Sequence, residues 1–186
     1  MSETLDLLLR AQDGSSAAFS ALFQRHRGRL CALVAARMSP RLRQVADAED
    51  IVQEASVEAT RKFADFHAEV PQAFYRWLAR IADFKLKEAE RAIRAKKRGD
   101  PKPLVGEPAM LQTSVGARAG ARERRALLVA ALERLPEAQA QAVQLRYLEG
   151  CTLAETAERL GRSEAAVKAL VSRGLGALAR HTSRTR

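Results

Sequence analysis

Apolar residues recur every three or four positions along almost the whole chain, and no stretch alternates as a strand requires. Phe19, Leu22, Phe23, His26, Leu30, Leu33 and Val34 fall on one helical face, with Ser16 placed to cap that helix. A shorter helix over Leu5–Arg10 precedes it and closes at Asp13-Gly14. Ile51, Val52, Ala55, Ala59 and Phe63 make the next stripe, behind an N-cap arrangement of Asp47 with Asp50. Phe66 to Val70 is a short loop, and Pro71 suits the first turn of a helix reaching about Lys97. Phe74, Leu78, Ile81 and Ala92 are its apolar side. Leu128, Leu132 and Leu135 mark a helix stopped at Pro136. Along the one that follows, Ala140, Val143, Tyr147 and Leu148 are expected to face inward until Gly150. The pattern is all-α.

The closing stretch is the most informative. Thr152 and Glu155 make a capping box, Gly161 supplies a left-handed stop, and Ser163 caps a second helix. Two helices split by a short glycine-containing turn outline a helix-turn-helix. Val167, Leu170, Val171, Gly174 and Leu178 are expected to pack inward; Ala165, Lys168, Ala169, Ser172 and Arg173 point the other way. Small residues flanked by cations let a helix approach a groove, although the same pattern also describes a solvated hairpin.

Residues 99–121 change character. They hold three of the six prolines, four of the ten glycines and no aromatic residue, which reads as a linker unable to sustain a helix. The expected domains are therefore residues 1–98, a linker at 99–121, and residues 122–186. Eight of the nine aromatics precede the linker, so the two domains have different cores.

Charge sharpens the picture. The net charge of +10 and pI near 10.4 favour a polyanionic partner, nucleic acid before membrane. On the helix from Pro71, the residues Arg76, Arg80, Lys87, Arg91, Arg94 and Arg98 share one stripe, bordered by Asp83 and Glu90. At 1.5 Å per residue that stripe runs roughly 33 Å, close to one turn of B-DNA. Aromatics lie nearby; Trp77 is expected in the core, whereas Phe66 and His67 are the loop's candidates for stacking on a base. By contrast, no basic residue stands between Arg43 and Arg61, where Asp47, Glu49, Asp50, Glu54 and Glu58 supply five acids. Asp50, Gln53 and Glu54 are expected outward, either as a solvated face or as a surface for a basic protein.

Other chemistries find little support. His26, His67 and His181 are scattered, and His26 is expected as a hydrogen-bonded core histidine, having no second ligand at i+3 or i+4. Cys31 and Cys151 are too far apart for metal spacing. No catalytic residue, metal site or cofactor is expected. No run approaches eighteen apolar residues, and the acidic N-terminus lacks the features of a signal peptide, so a soluble cytoplasmic protein is expected.

Several of these segments together resemble a known family, the extracytoplasmic-function (ECF) branch of bacterial RNA polymerase sigma factors. The segment from Asp47 through Glu54 looks like that family's DAEDxxQE motif, and Phe74 through Ala82 follows at a suitable interval. Leu135-Pro136-Glu137 with Leu145 through Gly150 matches its LPE…LRxxEG lead, and Leu160 through Lys168 its helix-turn-helix. The resemblance implies a promoter-recognition subunit whose partners are promoter DNA and the clamp coiled coil and flap of core polymerase. It implies that Asp47, Asp50, Ile51, Gln53 and Glu54 bind polymerase. Phe66, His67, Arg76, Arg80, Phe84, Lys87 and Arg91 would serve the −10 element, with an unpaired base captured by the loop. Arg162, Ser163, Lys168, Ala169, Ser172 and Arg173 would serve the −35 element. An anti-sigma protein is a further implied partner. The chain departs from the family pattern at Phe84, where Asn is usual, and at Ser56 and Glu58, where the clamp helix commonly has an aromatic and an Arg. A stand-alone helix-turn-helix regulator, dimeric on a two-fold site, is the alternative; an adaptor that binds only proteins is a third.

Overall fold

A computed structural model of the chain describes residues 3–67, 71–97 and 115–183. The chain divides into two compact units between Leu111 and Gln112. Among the described residues all regular secondary structure is helical, and there is no strand.

The first unit contains α1 (Glu3–Gln12), α2 (Ser16–Arg37), the single turn α3 (Pro40–Arg43), α4 (Ala48–Lys62), a 3-10 turn (Phe63–Asp65) and α5 (Pro71–Lys97). Ser15, one residue before the expected cap, starts α2: its hydroxyl accepts from the Ala18 N–H at 3.2 Å. α3 has a local cause, since Ser39 before Pro40 is a cap followed by a proline at the first helical position. α4 carries the expected capping box, with the Asp50 carboxylate accepting from the Asp47 N–H. α2, α4 and α5 pack together around Leu22, Phe23, Leu30, Val34, Val52, Phe74 and Leu78, all essentially inaccessible. Burying side chains of this size contributes about 1.5–3 kcal/mol each, which outweighs the low intrinsic propensity of any one turn.

His26 departs from expectation. Its ring lies on Phe74 and Tyr75, with centroids 5.9 and 5.4 Å away, and its buried Nε2 has no hydrogen-bond partner. Burial, reinforced by the charges of Arg29 and Arg25, lowers its pKa and favours the neutral ring. The Arg29 guanidinium itself sits 3.8 Å from the Tyr75 centroid.

The second unit contains α6 (Val115–Glu133), α7 (Glu137–Val143), a π-helical turn (Gln144–Glu149), α8 (Leu153–Leu160) and α9 (Glu164–Ser183). Two expectations are corrected here. The helix α6 begins at Val115, so the last seven residues of the expected linker are helical. Ala117, Ala119 and Ala121, with the arginines after them, are strong helix formers and offset the ~1 kcal/mol that each of Gly116 and Gly120 loses relative to alanine. The Pro-rich part of the linker, 99–114, lies outside the described residues, as do Arg98 and the loop residues 68–70. Tyr147, expected inward, is half exposed while Leu148 is buried. The wider π turn advances the chain by one extra residue and rotates the apolar face away from Tyr147.

Gly174 lies mid-helix for a packing reason. A Cβ there would stand 2.8 Å from Val143 Cγ2 and 3.4 Å from the Gln139 carbonyl oxygen, so α9 approaches α7 at backbone distance. Val143 is β-branched, buried and unable to swing aside. Gly174→Ala is therefore expected to destabilise the protein by ~1–3 kcal/mol, despite the helix propensity it gains. Chemical unfolding checks this, and the loss should shrink in a Val143→Ala background; a stabilised Gly174→Ala variant would show that α7 yields.

Candidate nucleic-acid interface

The C-terminal surface follows from the way its turn is built. The Glu155 N–H donates to Thr152 Oγ1 at 3.2 Å, and the Thr152 N–H returns to Glu155 Oε2 at 2.7 Å. Thr156, fully buried, donates its hydroxyl to the Thr152 carbonyl at 2.8 Å. Arg159 bridges α8 to Glu149 at 2.9 Å, and Arg146 donates to the Cys151 carbonyl. Gly161 closes α8 at φ +59°, a conformation that L side chains rarely adopt, and lets Arg162 donate back to the Ala157 carbonyl. Ser163 Oγ then accepts from the Ala166 N–H, starting α9.

That turn and the buried Val167, Gly174 and Leu178 set the roll of α9. Arg162, Ser163, Lys168, Ala169, Ser172 and Arg173 are all exposed, and the last four share the outward face of α9. Ala169 and Ser172 leave the middle of that face low, with Lys168 and Arg173 at its flanks. This arrangement can enter a major groove, with donors for phosphates or base edges.

In the first unit, Arg80, Lys87, Arg91 and Arg94 line one side of α5, all exposed, and Arg76 is half-buried beside them. Phe84 is 52% exposed within the same stripe. The two bordering acids have structural partners. Asp83 accepts from Arg37 of α2 at 2.7 Å and from Lys87 at 2.7 Å. Glu90 takes both the backbone N–H and the hydroxyl of Ser39, at 3.0 and 3.1 Å, fastening the start of α3. Arg37 was not singled out in the sequence because its partner is 46 residues away.

The acidic helix α4 lies against α5. Asp50 is exposed, Asp47, Gln53 and Glu54 are half-buried, and Ile51 is 3% exposed. Ile51 is thus a core residue and offers no surface to a partner, because it sits on the stripe that packs α4 inward. Burial raises the Glu54 pKa; Lys85 of α5 opposes that rise, while Glu88 and Asp50 add to it. Lys85 pairs with Glu88 at 2.8 Å, the main reason its own pKa is raised.

Phe66 is also corrected. It is 8% exposed and belongs to an aromatic cluster, 4.8 Å from Trp77, 5.8 Å from Phe74 and 5.9 Å from Phe63. The 3-10 turn, closed by the Phe66 N–H on the Phe63 carbonyl at 3.0 Å, folds the ring back onto that cluster. His67 stays exposed, its Nδ1 3.1 Å from the Asp65 carbonyl oxygen. Phe66 and His67 nevertheless meet Gln53 of α4 along an open groove of about 820 Å³, walled by Phe19 and Phe63. The described residues hold no group of His, Cys, Asp and Glu that could bind a metal, and no helix long and apolar enough to cross a membrane.

A capped turn leading to an exposed cationic helix defines a DNA-binding protein of the helix-turn-helix class, joined here to a second helical unit with its own cationic face. Comparison with known proteins agrees. Sigma-70 region 2 matches residues 22–99, and Sigma-70, region 4 matches residues 125–178. The ECF RNA polymerase sigma factor SigM of Mycobacterium tuberculosis (strain ATCC 25618 / H37Rv) is 31% identical over 178 residues, covering 94% of this chain and 82% of SigM. The ECF RNA polymerase sigma-E factor of Escherichia coli (strain K12) is 31% identical over 174 residues, covering 84% of each. BldN of Streptomyces coelicolor, also an ECF RNA polymerase sigma factor, is 28% identical over 184 residues; these make up 95% of this chain and 64% of BldN. A solved structure of CnrH in complex with the cytosolic domain of CnrY is similar over 98% of this chain and 99% of that one, at 22% identity and a TM-score of 0.49. The chain belongs to the ECF RNA polymerase sigma factors, which are promoter-recognising initiation factors.

If the α5 stripe meets phosphates, Asp83 restrains it by holding Lys87. Asp83→Asn is expected to tighten non-specific duplex binding by the full chain and to steepen the dependence of log K on log salt by about 1. Fluorescence anisotropy across a salt series measures both. An unaltered slope in a variant with normal thermal unfolding would place the stripe away from the phosphates.

Proposed function

We propose that this chain associates with core RNA polymerase through the exposed side of α4, at Asp50, Gln53 and Glu54, and directs it to promoters through two separate DNA-contacting surfaces. The stripe of α5 (Arg76, Arg80, Phe84, Lys87 and Arg91), with His67 beside it, engages the −10 element. The face of α9 (Lys168, Ala169, Ser172 and Arg173), with Arg162 and Ser163 at its entry, engages the −35 major groove. Bond-making stays with the polymerase; opening the duplex needs phosphate attraction and stacking alone. The protein works in the cytoplasm, where promoter and polymerase are.

The observation that carries this reading is the split of α9 into a buried Val167–Gly174–Leu178 side and an outward Lys168–Ala169–Ser172–Arg173 side, within a chain of this family. The acidic α4 favours a sigma factor over a stand-alone regulator, because a purely DNA-directed protein of net charge +10 has no use for an acid-only face.

Reconstitution with bacterial core polymerase and run-off transcription on a genomic promoter library tests the whole reading; no promoter-specific product over core alone would refute it. Lys168→Ala and Arg173→Ala are each expected to weaken −35 duplex binding by the holoenzyme by ~1–3 kcal/mol where the residue makes a bidentate base contact. Reversing the charges of Asp50 and Glu54 to Lys should abolish association with core polymerase in a pull-down; because Asp50 also closes the α4 capping box, thermal unfolding of the same variant separates loss of contact from loss of fold. Full association by that double variant would move the polymerase contact off α4.

A further inference from the structure

Among the described residues of the first unit, Phe84 is the one Phe, Tyr or Trp that is more exposed than buried, at 52%. The other large apolar side chains exposed there, Leu9 and Val45, lie on other elements, so Phe84 is no part of an apolar patch on α5. Its neighbours on the helix surface are charged and mostly cationic, the acid among them being Glu88 four residues on, which pairs with Lys85. Arg80 precedes it by four residues, Lys87 follows by three and Arg91 by seven, spacings that put all four on one side of the helix. Lys85 Nζ stands 5.8 Å from its ring centroid.

A planar apolar ring set among cations suits one kind of partner. A protein surface apolar enough to take Phe84 would have to desolvate the guanidinium and ammonium groups around it. Duplex DNA presents phosphates to those cations but no exposed base face to the ring. Single-stranded DNA presents both, since phosphates track the cations while an unstacked base covers the ring.

We propose that Phe84 is the stacking platform for one unpaired base of the opened −10 region, so that this base is held by its face. Phenylalanine has no hydrogen-bonding group with which to read a base edge. Discrimination at that position therefore follows stacking strength, and a hydrogen-bonded code is absent there. The inference rests on the proposed role of α5 at the −10 element and adds the mode of contact. Trp77, seven residues before Phe84 on the same side, is engaged by Phe63, Phe66 and Phe74 and so leaves this task to Phe84.

The test uses holoenzyme and the most active promoter recovered by run-off transcription. That promoter is prepared fully paired and with the non-template strand of its −10 region left unpaired. Phe84→Ala is expected to weaken binding to the unpaired form by about tenfold while changing first capture of the paired form little. Phe84→Trp and Phe84→Tyr should retain binding, and Phe84→Leu should behave as Phe84→Ala. A series of abasic sites in the unpaired strand should show one position whose removal weakens the wild type and leaves Phe84→Ala unaffected. Wild-type binding by Phe84→Ala, retention by Phe84→Leu, or the absence of such a position would each overturn the stacking role while leaving the promoter reading intact. Loss of core association in Phe84→Ala would assign the ring to a protein contact and also overturn it. Failure of the wild-type holoenzyme to recognise any promoter would remove the promoter reading and this inference with it.

Discussion

Everything the first unit presents to a partner depends on how the apolar side of α5 is buried. Phe74, Leu78, Ile81, Ala82 and Leu86 are all at or below 8% exposed and lie against α2 and α4. A helix anchored along one side has no freedom to roll, so its opposite side is determined by arithmetic at 100° per residue. The cations and Phe84 face outward because the hydrophobic residues cannot. The same seam fixes α4, and so a helix whose first three turns carry only acids lies beside a cation-rich helix. Lys85 of α5 is where the two charged surfaces meet: its ammonium pairs with Glu88 on its own helix and feels the Glu54 and Glu58 carboxylates of α4.

The second unit solves the same problem with less material. It has one aromatic residue, Tyr147, and that residue is half exposed, so close backbone approach replaces ring packing. Gly174 brings α9 onto α7, and Val143 fills the space a side chain would have taken. The capped turn between Thr152 and Ser163 then sets the angle at which α9 leaves. A glycine that looks like a weak point in a helix is here the condition for its packing.

Acids within the cationic stripe make a related point. Asp83 and Glu90 interrupt the positive surface in the sequence, yet each fastens a neighbouring element: Asp83 to Arg37, Glu90 to the first turn of α3. They lower the charge that DNA would meet and hold the scaffold that presents it. Stability and affinity are thus set against each other at two named side chains.

Much of this was legible in the amino-acid order. The helical period, both capping boxes, the Gly161 stop and the outward set on α9 are local features, decided by residues three or four apart. What the order could not decide was anything set by distant neighbours. Phe66 reads as a loop aromatic open to a base, and the 3-10 turn instead returns it to Phe63, Phe74 and Trp77. Ile51 belongs to a motif expected to meet a partner, yet the packing of α4 takes it into the core. His26 reads as a hydrogen-bonded histidine and instead lies against the rings of Phe74 and Tyr75, with Nε2 unsatisfied. Tyr147 turned outward because one π turn changed the phase of a helix whose period had looked regular. Local spacing specifies which side of a helix is apolar; only the assembled core decides which of those residues are covered, and by what.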